Sequence, residues 1–199
     1  MSYVLYEFAP TRAKRVKWTL LELEIPFDVI DGPNLIGSEK LRKIHPLAAV
    51  PAMTINDKPL FESAAICTYL ADNSPHKELI SPSGTWARAM HDQWVSFALT
   101  EMEMYVWTIA RNKFVLPKEK RLSNIFEQNA EGYRRGATVL ENVLNQQDFL
   151  IGNTFSVTDI IVSFTINWGR NIQLLETFPN LNRYLDRLYE RQHCTLRPE

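Results

Sequence analysis

The hydrophobic period of this chain changes once, and the change falls at a run of turn-forming residues. Asn73, Ser74, Pro75, Ser81, Pro82, Ser83 and Gly84 gather within residues 73–84, the composition of a linker. Before this run, two-residue and 3.6-residue hydrophobic periods take turns; after it, only the helical period is convincing. Such a chain is expected to form an α/β domain followed by an all-α domain. The predicted boundaries are 1–76, a linker at 77–84, and 85–199. At 199 residues the chain has room for one large or two small domains.

Within residues 1–76 the elements can be read individually. Residues 3–8 alternate, with Val4, Tyr6 and Phe8 on one face, as in a half-buried strand. Residues 12–23 place Ala13, Val16, Leu20 and Leu23 at helical spacing. Residues 27–31 form a second strand and 38–44 a short polar helix. Strands at 52–55 and 60–62 flank the turn Asn56-Asp57-Lys58, which makes a hairpin. Residues 63–72 form a helix with Ala64, Ile66, Cys67 and Leu70 inward. The order β-α-β-α-β-β-α, with a parallel first unit and an antiparallel hairpin, outlines a thioredoxin-like domain. Helical patterns then cover 85–112, 118–146, 156–168 and 180–191. Ser156-x-x-Asp159 opens the third of these as an acidic capping box, with Phe155 and Ile160 as a hydrophobic staple. Trp18, Trp86, Trp94 and Trp168 are read as packing residues.

Composition narrows the function. The 22 Lys and Arg nearly balance 23 Asp and Glu, so no charge excess draws the chain to nucleic acid or an anionic membrane. Cys67 and Cys194 are the two cysteines; they make neither a disulfide scaffold nor a cysteine-rich zinc site. No run approaches the 18 or more apolar residues of a membrane span. A cytoplasmic protein without a metal is the expectation.

Three segments carry chemistry. At Phe8-Ala9-Pro10-Thr11-Arg12, Thr11 is the candidate N-cap, and Arg12, Lys14, Arg15 and Lys17 crowd the first turns. Basic residues there oppose the helix dipole. The start of this helix reads either as a receiver of an anion or as a solvated basic face. At His45-Pro46-Leu47-Ala48-Ala49-Val50-Pro51-Ala52, Pro51 precedes a strand where a trans proline fits poorly. A cis Val50–Pro51 bond would present the Val50 backbone to an extended peptide. At Phe61-Glu62-Ser63-Ala64, a carboxylate, a hydroxyl and helix amides meet, which suits a zwitterionic α-amino acid; a plain helix cap reads the same residues.

Taken together, these signals resemble the glutathione S-transferases. The resemblance rests on the basic helix after Thr11, Val50-Pro51, Glu62-Ser63-Ala64-Ala65-Ile66, Ser156-x-x-Asp159 and Phe178-Pro179-Asn180-Leu181, and it runs along essentially the whole chain. It implies a thioredoxin-like domain that binds glutathione and a helical domain that supplies most of an acceptor pocket. It also implies a homodimer and a detoxifying transferase. Val50 would pair with the cysteinyl backbone of glutathione beside cis Pro51, and Glu62 and Ser63 would hold the γ-glutamyl end.

The chain departs from the family pattern at four places. Phe8 stands where some members place Tyr, and Pro10 and Thr11 where others place Cys. Ala49 replaces the Lys or Gln before Val-Pro, and His45 the Asn before Pro. Thr11 is therefore the candidate thiol activator, with Tyr6 the runner-up. Arg12, Lys40 and His45 are candidates for the glycyl end. Phe8, Pro10, Tyr105, Thr108 and Arg111 are candidates for the pocket of a small hydrophobic electrophile. The implied chemistry is attack by the glutathione thiolate on an electrophilic carbon or a peroxide. The alternatives are a non-catalytic interaction protein on the same scaffold and a glutathione-dependent isomerase or dehalogenase.

Overall fold

The computed structural model describes residues 1–32, 34–74 and 76–197. Pro75 of the turn-forming run, and residues 198 and 199 of the expected helical domain, lie outside the described residues. The chain divides into two compact units. One comprises Met1–Ser83 together with Arg191–Glu199, the other Gly84–Glu190.

The first unit contains β1 (Tyr3–Tyr6), α1 (Ala13–Glu22), β2 (Asp28–Ile30), α2 (Glu39–Arg42), β3 (Ala52–Ile55), β4 (Lys58–Phe61) and α3 (Ser63–Asp72). The sheet order is β2-β1-β3-β4. β1 and β2 run parallel, whereas β1–β3 and β3–β4 are antiparallel. This is the expected thioredoxin-like arrangement.

Three local expectations change. β1 ends at Tyr6 rather than Phe8; after one more bond, from the Glu7 amide to the Ile30 carbonyl, the chain turns away at a cis Ala9–Pro10 bond. Nor is β1 half-buried. It is an interior strand, with Leu5 covered on one face and Tyr6 on the other. In the hairpin, Asn56 and Asp57 both take positive φ, as a two-residue turn requires. Lys58 therefore pairs with Ile55 and begins β4. Pro59 fits there because β4 is an edge strand.

α1 buries Ala13, Val16 and Leu20 as its spacing predicts, together with a polar and aromatic set: Arg15, Trp18, Thr19 and Glu22. The Trp18 indole donates to Glu22, which also receives two hydrogen bonds from Arg191, each 2.9 Å. Thr195 donates to the Lys14 carbonyl at 2.8 Å, and Cys194 and Leu196 are buried. These contacts fasten the tail to α1.

The second unit contains α4 (Trp86–Ala98), α5 (Met104–Ala110), α6 (Phe126–Leu144), α7 (Val157–Asn171) and α8 (Pro179–Tyr189). Wider π-helical turns at Leu99–Glu103 and Arg111–Val115 carry α4 and α5 on as one continuous rod. Residues 118–125 were expected to be helical, yet only Lys118–Lys120 makes a short 3₁₀ turn. Side chains hold this stretch as a loop: Arg121 donates to the Leu116 carbonyl, and Asn112 accepts from the Leu122 amide. Trp86 is 81% exposed and so is not a packing residue, in contrast to Trp18 and Trp94.

The capping box forms at Ser156 and Asp159. The Asp159 side chain is fully buried and accepts four hydrogen bonds. They come from the Ser156 amide and hydroxyl, the Leu150 amide and the Tyr184 hydroxyl, at 2.8–3.0 Å. Burial pushes this carboxyl up, and the four donors counter that. One side chain thus ties the 150 loop, α7 and α8 together.

Candidate functional site

Strand register brings the three chemistry-bearing segments of the first unit to one end of its sheet. Tyr6 pairs with Ala52, and Ala52 with Phe61. The turn after Tyr6, the segment before Ala52 and the residues after Phe61 therefore leave the ladder side by side. Val50–Pro51 is cis, as expected. The His45 and Phe61 rings lie 4.8 Å apart, which links the second segment to the third.

Glu62 is exposed and sits at the N-cap of α3 with φ 71° and ψ 111°. A non-glycine residue rarely holds this backbone, and such outliers gather at functional sites. The conformation takes the chain from β4 into α3 in one step and places Ser63 at the first helical position. Ser63 is buried, and its Oγ accepts a hydrogen bond from Arg15 Nη1 at 3.2 Å. The sequence placed Arg15 at a basic helix start that either receives an anion or is a solvated face; the structure buries it completely, with Nη1 donating to Ser63. The available signal was the polar stripe Arg15, Thr19, Glu22 at helical spacing beside the apolar one.

Thr11 was expected to be the N-cap of α1. Arg12 holds that position, because α1 opens with a tight turn in which the Lys14 amide bonds to the Thr11 carbonyl. The Thr11 hydroxyl still caps, accepting from the Ala13 amide at 3.3 Å. Used as an acceptor, it keeps its own proton for another group. Tyr6 packs in a core cluster with Leu35, Leu41, Ala48 and Ala52. Phe8 is half-buried and Pro10 exposed. Of the basic residues, Lys17 is tied to Glu7 at 2.7 Å, while Arg12 and Lys14 are half-buried. Cys67 is buried in α3, which pushes its thiol up to about 12; a buried, protonated thiol is a poor nucleophile.

His45 is buried, and its Nδ1 accepts from the Leu47 amide at 3.1 Å. In the neutral ring the proton is then on Nε2, which can only donate. Lys40 is exposed on α2, and Val50 is half-buried beside the same core cluster. Ala48, two residues before Val50, also takes a positive φ of 47°.

In the second unit, the Tyr105 ring packs so closely on α6 that a Cβ at Gly132 would meet it at 2.5 Å. The Thr108 hydroxyl donates to the Met104 carbonyl within α5, and Arg111 is exposed. A polar cavity of about 280 Å³, lined by Asn145, Gln147, Asn180, Arg183 and Arg187 among others, includes none of the predicted site residues. Among the described residues, no group of three or more His, Cys, Asp or Glu side chains is placed to hold a metal ion. No described helix is long and apolar enough to cross a membrane.

Comparison with known proteins gives the family and the fold. The family model described as glutathione S-transferase, N-terminal domain, matches residues 5–78, and that described as glutathione S-transferase, C-terminal domain, matches residues 100–192. Glutathione S-transferase D6 of Drosophila melanogaster is 26% identical over 186 residues, covering 90% of this chain and 84% of that protein. A probable elongation factor 1-gamma 2 of Arabidopsis thaliana is also 26% identical, over 74% of this chain but 36% of its own length. In fold, the chain is similar to a glutathione transferase from Methylococcus capsulatus, with a TM-score of 0.84, 24% identity, and 96% and 95% of the two chains covered. It is likewise similar to the transferase URE2P6 of Phanerochaete chrysosporium, solved with oxidized glutathione, with a TM-score of 0.83, 24% identity, and 97% and 93% covered.

Proposed function

The chain belongs to the glutathione S-transferase family, and from that premise we propose that it binds glutathione at the shared sheet end and activates its thiol. The observation that carries this reading is the register that sets cis Val50–Pro51 beside Glu62–Ser63. Val50 pairs with the cysteinyl backbone of glutathione. The Ser63 hydroxyl and the α3 amides take the α-carboxylate of the γ-glutamyl end, and Glu62 takes its ammonium. Nε2 of His45 donates at the glycyl end, with the cations Lys40 and Arg12 beside it.

A free thiol has a pKa near 8.5, so little thiolate exists at neutral pH. The Thr11 hydroxyl donates to the sulfur, and the adjacent amides and Arg12 add positive potential; all of these favour the thiolate. The thiolate then attacks an electrophilic carbon, forming a C–S bond as the leaving group departs with its electron pair, or attacks a peroxide oxygen, forming an S–O bond as the O–O bond breaks and the other oxygen leaves as alkoxide or hydroxide, so that the sulfur is oxidised to a sulfenic acid and the peroxide is the oxidant. Phe8 and Pro10 are proposed to face the electrophile at this sheet end. The protein acts as a homodimer.

The similarity to an elongation factor 1-gamma protein favours a second reading, a non-catalytic interaction protein on the same fold. Titration calorimetry with reduced glutathione separates the two. Saturable binding, weakened by Glu62→Ala and Ser63→Ala, supports the transferase. No binding at millimolar glutathione supports the interaction protein.

A further inference from the structure

Ser63 receives its hydrogen bond from a residue 48 positions earlier, across the interior of the first unit. Arg15 is among the largest fully buried side chains of the protein. A guanidinium is permanently charged and can only donate. While Oγ of Ser63 accepts from it, the single hydroxyl proton must serve a different acceptor. The charged donor also polarises the hydroxyl and strengthens it as a donor in turn. The guanidinium is close enough to α3 to act one turn further on. Burial is the main influence on the Cys67 thiol, and the Arg15 charge pulls in the opposite direction.

We infer that Arg15 is a positioning residue for the proposed glutathione site: it holds Ser63 with its proton directed at an anion and so makes the site selective for a peptide with a free α-carboxylate. The inference rests on the glutathione reading and extends it. Glu62, exposed beside Ser63, selects the neighbouring ammonium. The two halves of a zwitterion are therefore recognised by separate devices, one of them operated from the core. Lysine cannot replace Arg15 here, because its compact ammonium lacks the rigid planar fork that fixes direction.

The test is calorimetry with three peptides: reduced glutathione; γ-aminobutyryl-Cys-Gly, which lacks the α-carboxylate; and glutaryl-Cys-Gly, which lacks the ammonium. Arg15→Gln and Arg15→Lys should each cut the preference for glutathione over γ-aminobutyryl-Cys-Gly by about tenfold or more, the scale of a hydrogen bond to a charged group. The preference over glutaryl-Cys-Gly, which reports Glu62, should stay within about twofold of the parent's, since independent sites add. Adding Arg15→Gln to Ser63→Ala should cost no further carboxylate preference, because the pair acts as one unit. If the Arg15 variants weaken all three peptides alike, Arg15 is a packing residue and the inference fails while the glutathione reading stands. If the parent binds no glutathione, both fail. Should Arg15→Gln not fold, Arg15→Lys and the parent's own guanidinium resonances carry the test. Those resonances should move with glutathione and not with γ-aminobutyryl-Cys-Gly; equal movement with both overturns the inference.

Discussion

Replacing Glu62 by glycine and by alanine should separate what its backbone costs from what its carboxylate does. Both variants lose the same side-chain function, so their difference isolates the φ of 71° and ψ of 111°. Holding a residue with a Cβ in such a region costs on the order of 1–3 kcal/mol. Glycine escapes that cost but is freer when unfolded, which returns about 0.4–1 kcal/mol. Glu62→Gly should therefore be more stable than Glu62→Ala by about 1–2 kcal/mol. In a chain of this size that is about 2–8 °C in melting temperature. The assay is urea unfolding followed by circular dichroism, with the melting temperature as a second measure. At Glu131, exposed within α6, the same pair should order the opposite way by about 1 kcal/mol. Both position-62 variants should bind glutathione about tenfold to a hundredfold more weakly, the loss of a charged hydrogen bond. Equal stability of the two, or an alanine variant more stable than the glycine one, would refute the strained-corner account of this residue.

Thr11→Val should slow conjugation near neutral pH and regain rate as the pH rises, whereas Thr11→Ser stays active; an unaffected Thr11→Val would remove the hydroxyl from the chemistry. Because valine also deletes the acceptor for the Ala13 amide, a stability loss of about 0.5–2 kcal/mol is expected and is measured separately. Asp159→Ala should destabilise by about 3–5 kcal/mol in urea unfolding, since it strands buried donors from three elements; a loss under about 1 kcal/mol would contradict the tie. Glu22 is buried; burial raises its pKa, and the hydrogen bonds from Arg191 and Trp18 outweigh burial, leaving it below the ordinary glutamate range. A lowered folded-state pKa means the tail clamp is complete above the unfolded value and is lost as pH falls through the folded one. The Trp18 indole resonance should follow that acid titration, and Glu22→Gln should flatten it.

The residues that were legible in the sequence are those whose role is set by near neighbours. The hairpin turn at Asn56-Asp57, the start of α3 at Ser63 and the Ser156–Asp159 box each depend on a few consecutive residues, and their chemistry is written there. Val50–Pro51 belongs with them, since a proline just before a strand has few options. What was not legible is long-range. Nothing near Arg15 says that its partner is Ser63, and nothing near Asp159 names Leu150 or Tyr184. The end of β1 was misplaced because the alternation of Val4, Tyr6 and Phe8 outlasts the ladder. Hydrophobic period records which face is covered, not where pairing stops. Residues 118–125 read as helical for a related reason: a periodic pattern does not reveal that Asn112 takes the Leu122 amide.

The fastening of the tail to α1 has a consequence for how the protein is made. The first unit is not contiguous: it needs Met1–Ser83 and also the stretch from Arg191 onward. As the chain leaves the ribosome, β1 to α3 emerge early, yet Glu22 gains Arg191 and the Lys14 carbonyl gains Thr195 only after α8 has been synthesised. The helical unit, continuous from Gly84 to Glu190, has all its residues before the unit that precedes it in the sequence has its own. Domains generally fold as units in order of emergence; in this chain that order is inverted, and translation must pass Thr195 before the helix bearing Arg15 is finally secured.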